Sequence, residues 1–442
     1  MNLSFLHFRA SWAACWLVAG CFAGAFTGCD DPVAQFPAND VYALRLARET
    51  GSDMEAAEAD VQAALQRFFG RPDAVTVPLA LERLVDPQQV QRAAGPVHSD
   101  QQDVHRGLYR EHCGVCHGVA GSGRGPAAAM QKPYPRDYRM GIFKFKSTPR
   151  GAKPTRDDLR ALLQRGIPGT AMPSFALLSK DDREALIDHL VFLSVRGEVE
   201  RRLLAMAARE FDYGAERLPA SERLFAAELQ EEEPEAFAAQ LSWIEAEVEA
   251  VAARWARAEE RVQPVPSVPF EVATLAGQGR GERVGDPATT QATPLAAIRR
   301  GQALFHGPIA NCVGCHGPAG AGGAVVLDYD DWTKDWTTRI GLTPGDPEAI
   351  APFREVGAFK PRQIKPRNLQ LGVFRGGSDP TTLYRRIVCG IDGTPMPAAP
   401  LLEEPGATGL TSRDVWDLVA YVLSLADGAA ERKAVVPPPP AT

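Results

Sequence analysis

The spacing of apolar residues predicts a mainly α protein whose helical stretches are separated by segments rich in glycine and proline. Between Ser52 and Gly70, apolar positions at Val61, Leu65 and Phe68–Phe69 predict a helix with Ser52 as its N-cap and Gly70 as its stop. Two further apolar helical stretches run from Arg183 to Val195 and from Ser412 to Leu425. Residues 198–262 are rich in Ala, Glu, Arg and Leu and are interrupted at Pro219 and Pro234, which predicts a spacer of two or three helices. Residues 263–296 repeat Pro, Gly and Thr and read as an exposed linker. The tail, residues 429–442, contains Pro437 to Pro440 and reads as extended or disordered chain.

Ser11 to Thr27 is a different kind of run, apolar throughout and ending in small residues, and Arg9 is the only charge among residues 1–28. It reads as a secretory signal. Because it approaches the ~20 residues of a spanning helix, an uncleaved anchor is the alternative. Phe26-Thr27-Gly28-Cys29 resembles a bacterial lipoprotein cleavage box, which makes Cys29 the candidate lipidated residue; ordinary cleavage and retention stay open beside it. Every version places the mature chain on the periplasmic side of a bacterial membrane.

Two pentapeptides carry the chemistry: Cys113-x-x-Cys116-His117 and Cys312-x-x-Cys315-His316. With 8 Cys and 8 His in 442 residues, chance predicts about 0.003 such motifs. The pattern supplies two thiols for covalent attachment to porphyrin vinyl groups and an imidazole, His117 or His316, for one face of the iron. A zinc knuckle has no need of the adjacent histidine in both copies. A thioredoxin-like dithiol wants a strand before it and a helix after it, whereas both motifs run into glycine-rich sequence. The opposite face of each iron falls to Met172 and Met396, which alone share a Gly-Thr-x-Met-Pro context. Met130 and Met140 lack that context, and Met396 is the only methionine after Met206. A thioether favours reduced iron and fills its sixth position, so both sites suit electron passage rather than peroxide or oxygen binding.

The motifs belong to a longer internal repeat. Arg106-Gly107-Leu108-Tyr109 and Arg300-Gly301-Gln302-Ala303-Leu304-Phe305 precede them. Pro135-Arg136-Asp137-Tyr138 then matches Pro366-Arg367-Asn368-Leu369, and Gly166 to Pro173 matches Gly390 to Pro397. Five blocks in the same order predict two copies of one domain, residues 102–197 and 297–428, after an N-terminal extension at 29–101.

Each half resembles a class I cytochrome c domain. The resemblance implies an N-terminal helix carrying Tyr109 or Phe305, crossed by a C-terminal helix carrying Phe192 or Tyr421, with aromatics interlocked beside the haem. It implies two covalent c-type haems, with Arg136 and Arg367 as partners for their propionates. The second half departs from the pattern: His316 and Met396 are 80 residues apart (396 − 316), against 55 (172 − 117), so residues 324–364 form an insertion.

At 442 residues and 45% apolar content the chain is globular and long enough for two to four domains. The formal charge is −7, yet residues 102–200 carry 16 basic and 11 acidic side chains. Lys132, Arg136, Arg139, Lys144, Lys146, Arg150, Lys153 and Arg156 read either as a docking face for an acidic partner or as a solvated surface with an arginine or two on propionates. Cys389 reads as a small buried hydrophobe, and His189 as a satisfied, half-buried histidine.

These features favour an electron carrier, not an enzyme. Its partners would be redox proteins: a quinol-oxidising complex or dehydrogenase as donor, an oxidase or soluble cytochrome as acceptor. A membrane contact through Cys29 fits this reading, and no nucleic acid is implied. A di-haem peroxidase, which needs an iron that can open, is the enzymatic alternative. A subunit of a larger respiratory complex is the third reading.

Overall fold

The computed structural model describes residues 34–214, 218–277, 293–323, 328–403 and 408–434. The expected signal, Cys29, Val435 to Thr442 and the stretch 278–292 lie outside those residues. In chain order the first helices are α1 (Asp40–Thr50), α2 (Glu55–Phe69), α3 (Pro87–Ala93), α4 (Arg156–Arg165), α5 (Lys180–Glu210) and α6 (Pro234–Ala256). They are followed by α7 (Phe270–Leu275), α8 (Pro294–His306), α9 (Pro347–Glu355), α10 (Pro380–Cys389) and α11 (Ser412–Ala434). Strands are confined to three two-residue pairs, so the described protein is mainly helical.

Helix α5 organises the first half. It begins at Ser179, whose side chain accepts the N–H of Asp182, and runs without a break through the boundary expected after residue 197. The reason is that its apolar face continues: Val199, Leu203, Leu204 and Ala207 are as buried as Leu186, Ile187 and Phe192. Residues expected to form a separate extension and a spacer therefore share one core with the first motif. Phe69 of α2 meets Phe192 edge-on at 5.7 Å, and Trp255 of α6 meets Phe143 at 5.7 Å. Trp255 also donates its indole N–H to Glu198 at 2.8 Å, satisfying the polar end of a buried ring.

The expected cap at Ser52 is not made. Helix α2 starts at Glu55, whose N–H is taken by Asp53 at 3.0 Å, while the Ser52 hydroxyl donates to the carbonyl of Ala208 at 3.2 Å. Gly70 does end the helix, in a conformation (φ 69°) where a Cβ would lie 2.2 Å from the carbonyl oxygen of Ala74.

In the second half α8 crosses α11 at Gly301, where a Cβ would lie 1.9 Å from the carbonyl oxygen of Asp417. Arg300 grips the buried Asp417 carboxylate with two bonds, 2.6 and 2.9 Å. Phe305 and Tyr421 meet edge-on at 5.2 Å across the same crossing. The expected linker is not wholly exposed, since α7 lies within it and buries Val272 and Ala273 against this core. Helix α11 also continues past residue 428, where the tail was expected to begin. The inserted segment adds a third cluster in which Trp336, Ile350 and Phe353 pack with Val41 of α1. Among the described residues no helix is long and apolar enough to cross a membrane.

Two outcomes follow from this packing. Gly197 of α5 leaves no room for a side chain, because a Cβ would lie 2.5 Å from the Cα, Cβ and Cγ atoms of Arg139. Gly197→Ala adds about 1 kcal/mol of helix propensity but overpacks a tight contact, which costs about 1–3 kcal/mol. A lower denaturation midpoint is expected. Burial, with Asp40 and Glu200 nearby, raises the Glu58 carboxyl from 4.5 to about 7. A raised carboxyl contributes stability that is full below 4.5 and is lost as pH rises through about 7. Glu58→Gln should flatten the fall in thermal midpoint between those values; an unchanged slope would disprove this origin.

Candidate functional site

The first motif sits on a short, irregular helix. Gly107 holds φ 78°, and a Cβ there would lie 2.4 Å from the carbonyl oxygen of Pro96, so the close approach excludes helix before Leu108. His105–Arg106 instead pairs as a strand with His98–Ser99. The expected N-terminal helix of this half is thus reduced to the turns around the motif, widened to π-type over Arg110–Gly114. Tyr109 does stand over the C-terminal helix, but its ring meets His189 at 4.8 Å, while Phe192 turns to Phe69. His189 is buried rather than half-buried, its Nδ1 has no hydrogen-bond partner among the described residues, and burial lowers its pKa to about 4.

His117 is held for coordination. Its ring is 9% exposed and stacks on Tyr138 at 4.6 Å, and its Nδ1 lies 3.0 Å from the carbonyl oxygen of Arg136. A carbonyl only accepts, so Nδ1 carries the proton and Nε2 keeps a bare lone pair. Burial lowers its pKa to about 4, which keeps the ring neutral. The thiols are also tuned by burial, Cys113 pushed up to about 12 and Cys312 to about 11. That is the opposite of the depressed thiol a redox dithiol uses. Among the described residues no three His, Cys, Asp or Glu side chains converge to hold a metal ion, so the two cysteine pairs are not gathered into one zinc site.

Met172 packs with Cys113 and Phe175 against the first core, whereas Met130 is 79% exposed. Its loop is knotted by its own backbone: Ile167 N–H donates to the Met172 carbonyl at 3.1 Å, and the Thr170 hydroxyl donates to the Ile167 carbonyl at 2.8 Å. The threonine oxygen in turn accepts the N–H of Met172 at 3.1 Å.

The second motif repeats these bonds. His316 Nδ1 lies 3.1 Å from the carbonyl oxygen of Arg367, and burial lowers its pKa as well. Ile391 N–H donates to the Met396 carbonyl at 3.3 Å, the Thr394 hydroxyl donates to the Ile391 carbonyl at 2.8 Å, and Met396 N–H donates to that hydroxyl oxygen at 3.2 Å. Behind each histidine, glycine N–H groups repeat as well: Gly123 to the His117 carbonyl at 2.8 Å, Gly322 to the His316 carbonyl at 2.9 Å. The neutral imidazoles, paired thiols and methionine loops fit a covalently attached c-type haem at each motif.

Each methionine loop leans on the opposite half. A Cβ at Gly169 would lie 3.1 Å from Arg367 Nη2 and 3.3 Å from Val373; one at Gly393 would lie 3.3 Å from Ile142 of the first half and 2.2 Å from the Trp332 ring of its own. The two expected propionate partners differ. Arg136 pairs with Asp330 at 3.3 Å and lies over Trp332 at 3.7 Å, two residues of the insertion whose part in the site the sequence reading missed. A cluster of Asp and Trp at 328–336 was the available clue. Arg367 donates to the Val373 carbonyl at 3.0 Å and keeps a buried Nε that has no partner among the described residues.

The expected basic face is mostly turned inward. Arg139, Lys146 and Lys153 are 1–3% exposed and pair with Asp137, Asp392 and Glu198; Arg156 pairs with Glu184 and Asp188. Helix α4 and the methionine loops draw these cations into the structure, where each needs an acid or a carbonyl. Cys389, as expected, is buried at the end of α10.

Residues 106–194 match the cytochrome c family. The chain is also similar to cytochrome c55X of Paracoccus denitrificans, 35% identical over 102 residues, or 22% of this chain and 80% of that protein. Among solved structures, it is similar to a chain of the Kuenenia stuttgartiensis reducing HAO-like protein complex. That likeness has 21% sequence identity and a TM-score of 0.38, and covers 72% of this chain and 94% of that one. A likeness at that score carries no assignment. Through the domain at 106–194, with its implied covalent haem and role in electron transfer, the chain belongs to the cytochrome c family.

Proposed function

We propose that this is a di-haem electron carrier built from two tandem class I-type units, with Cys113 and Cys116, then Cys312 and Cys315, as attachment residues. His117 with Met172, and His316 with Met396, would hold the two haem irons. The observation that carries this reading is the bond-for-bond match at the two motifs: histidine to arginine carbonyl, and methionine loop closed through threonine. Such haems supply reversible one-electron chemistry. The protein's part is to keep each imidazole neutral and oriented, hold each thioether in a stiff loop, and exclude water around the motif.

Two equivalent methionine loops argue against the di-haem peroxidase, which needs an open or displaceable ligand. The contact of each methionine loop with residues of the other half, Gly169 with Arg367 and Gly393 with Ile142, favours a relay inside one body, with the donor at one site and the acceptor at the other. Export, lipid on Cys29 and periplasmic residence complete the reading, with a quinol-oxidising complex or dehydrogenase as donor and an oxidase or soluble cytochrome as acceptor. Service as the electron-transfer subunit of a larger complex would change those partners without changing the chemistry.

Haem content should be two per chain by pyridine haemochrome assay; one per chain would refute the second site. Met172→Ala and Met396→Ala should each remove half of the methionine-to-iron charge-transfer band of the oxidised protein and lower one of two potentials. A high-spin haem in the unmodified protein, or peroxide turnover, would favour the enzymatic alternative.

A further inference from the structure

The two halves differ in the loop that leads to the helix before each methionine. Thr155, the cap of α4, follows Gly141 by 14 residues (155 − 141), whereas Asp379, the cap of α10, follows Gly372 by 7 (379 − 372). The extra length in the first half reaches the methionine loop of the second. Arg150 Nη1 lies 3.1 Å from the Ile391 carbonyl oxygen, 3.1 Å from that of Thr394 and 2.9 Å from that of Met396. Its two protons are shared among three acceptors, so the carbonyls of the loop converge on one cation. Gly151 N–H donates to Asp392 at 2.8 Å, and Lys146 Nζ lies 3.3 Å from the same carboxylate. Among the described residues the first loop has no such clamp; its bond from the other half is Arg375 Nη2 to the Gly169 carbonyl at 3.3 Å.

We infer that Arg150 is a positioning residue for the second site, locking the Gly390–Pro397 loop so that Met396 resists displacement more strongly than Met172. The inference rests on Met396 being the axial ligand. Hydrogen bonds from a charged donor are the stronger kind, and three carbonyls bound to one side chain must move together if the methionine is to leave. The cation also stands at the Met396 backbone carbonyl, where positive charge would disfavour the oxidised iron and raise its potential. Because Arg150 is exposed, solvent screens this charge term, and the mechanical term is the larger of the two.

The test is imidazole titration of the oxidised holoprotein, following loss of the charge-transfer band. In wild type one half of the band should yield at lower imidazole than the other, and the resistant half should be the one that Met396→Ala removes. Arg150→Ala should make that half about tenfold easier to displace, the factor expected for losing about 1.4 kcal/mol of charged hydrogen bonding. It should lower the second potential and leave the first unchanged. Arg150→Lys should restore part of the resistance, and Arg150→Ala should add nothing in a Met396→Ala background. Titration of Arg150→Ala identical to wild type would overturn the clamp. A band left whole by Met396→Ala would instead overturn the ligand assignment beneath it.

Discussion

The structure depends on the approach of each methionine loop to the other half of the chain. Gly169 and Gly393 stand at the same place in the two methionine loops, both with φ near 70°; Gly169 faces the second half, and Gly393 lies between Trp332 of its own half and Ile142 of the first. At Gly393 a side chain would enter the Trp332 ring and press on Ile142 of the first half, and at Gly169 it would meet Arg367 and Val373 of the second. A backbone in the left-handed region favours glycine at both positions, and at Gly393 the Trp332 ring leaves no room for a side chain. Each loop is therefore shaped partly by its own threonine knot and partly by the half it leans on.

The same contact explains where the positive charge went. Cations that follow the first motif would be costly to bury alone, and removing one partner of a buried pair typically costs about 3–5 kcal/mol. The fold answers with named partners: Asp330 for Arg136, Glu198 for Lys153, Asp392 for Lys146. Two of these acids come from the second half, so charge neutralisation and the joining of the halves are one event. Pairs of this kind add little net stability over apolar contacts, but they admit few alternative registers.

Much of the site was legible in the sequence because its chemistry is local. Two cysteines and a histidine within five residues share one helical turn wherever they fall, and Gly-Thr-x-Met-Pro writes its own turn. The choice of Met172 over Met130 needed only that context; Met172 is partly buried and Met130 is 79% exposed. Element boundaries were less legible. Helix α5 ran through an expected boundary because burial of Val199 and Leu203 outweighed the helix-weakening Gly197, and α2 started late because Ser52 found a partner 156 residues away.

By itself, then, the sequence determined the two haem-type motifs, their axial candidates and the order of the repeated blocks, all set by neighbours in the chain. Only the tertiary structure decided what those blocks face. Tyr109 meets His189, Arg136 meets Asp330 and Trp332, and Arg150 meets the methionine loop of the opposite half. Partners so far apart in the chain are chosen by packing and charge compensation, which act through space and leave no spacing to read.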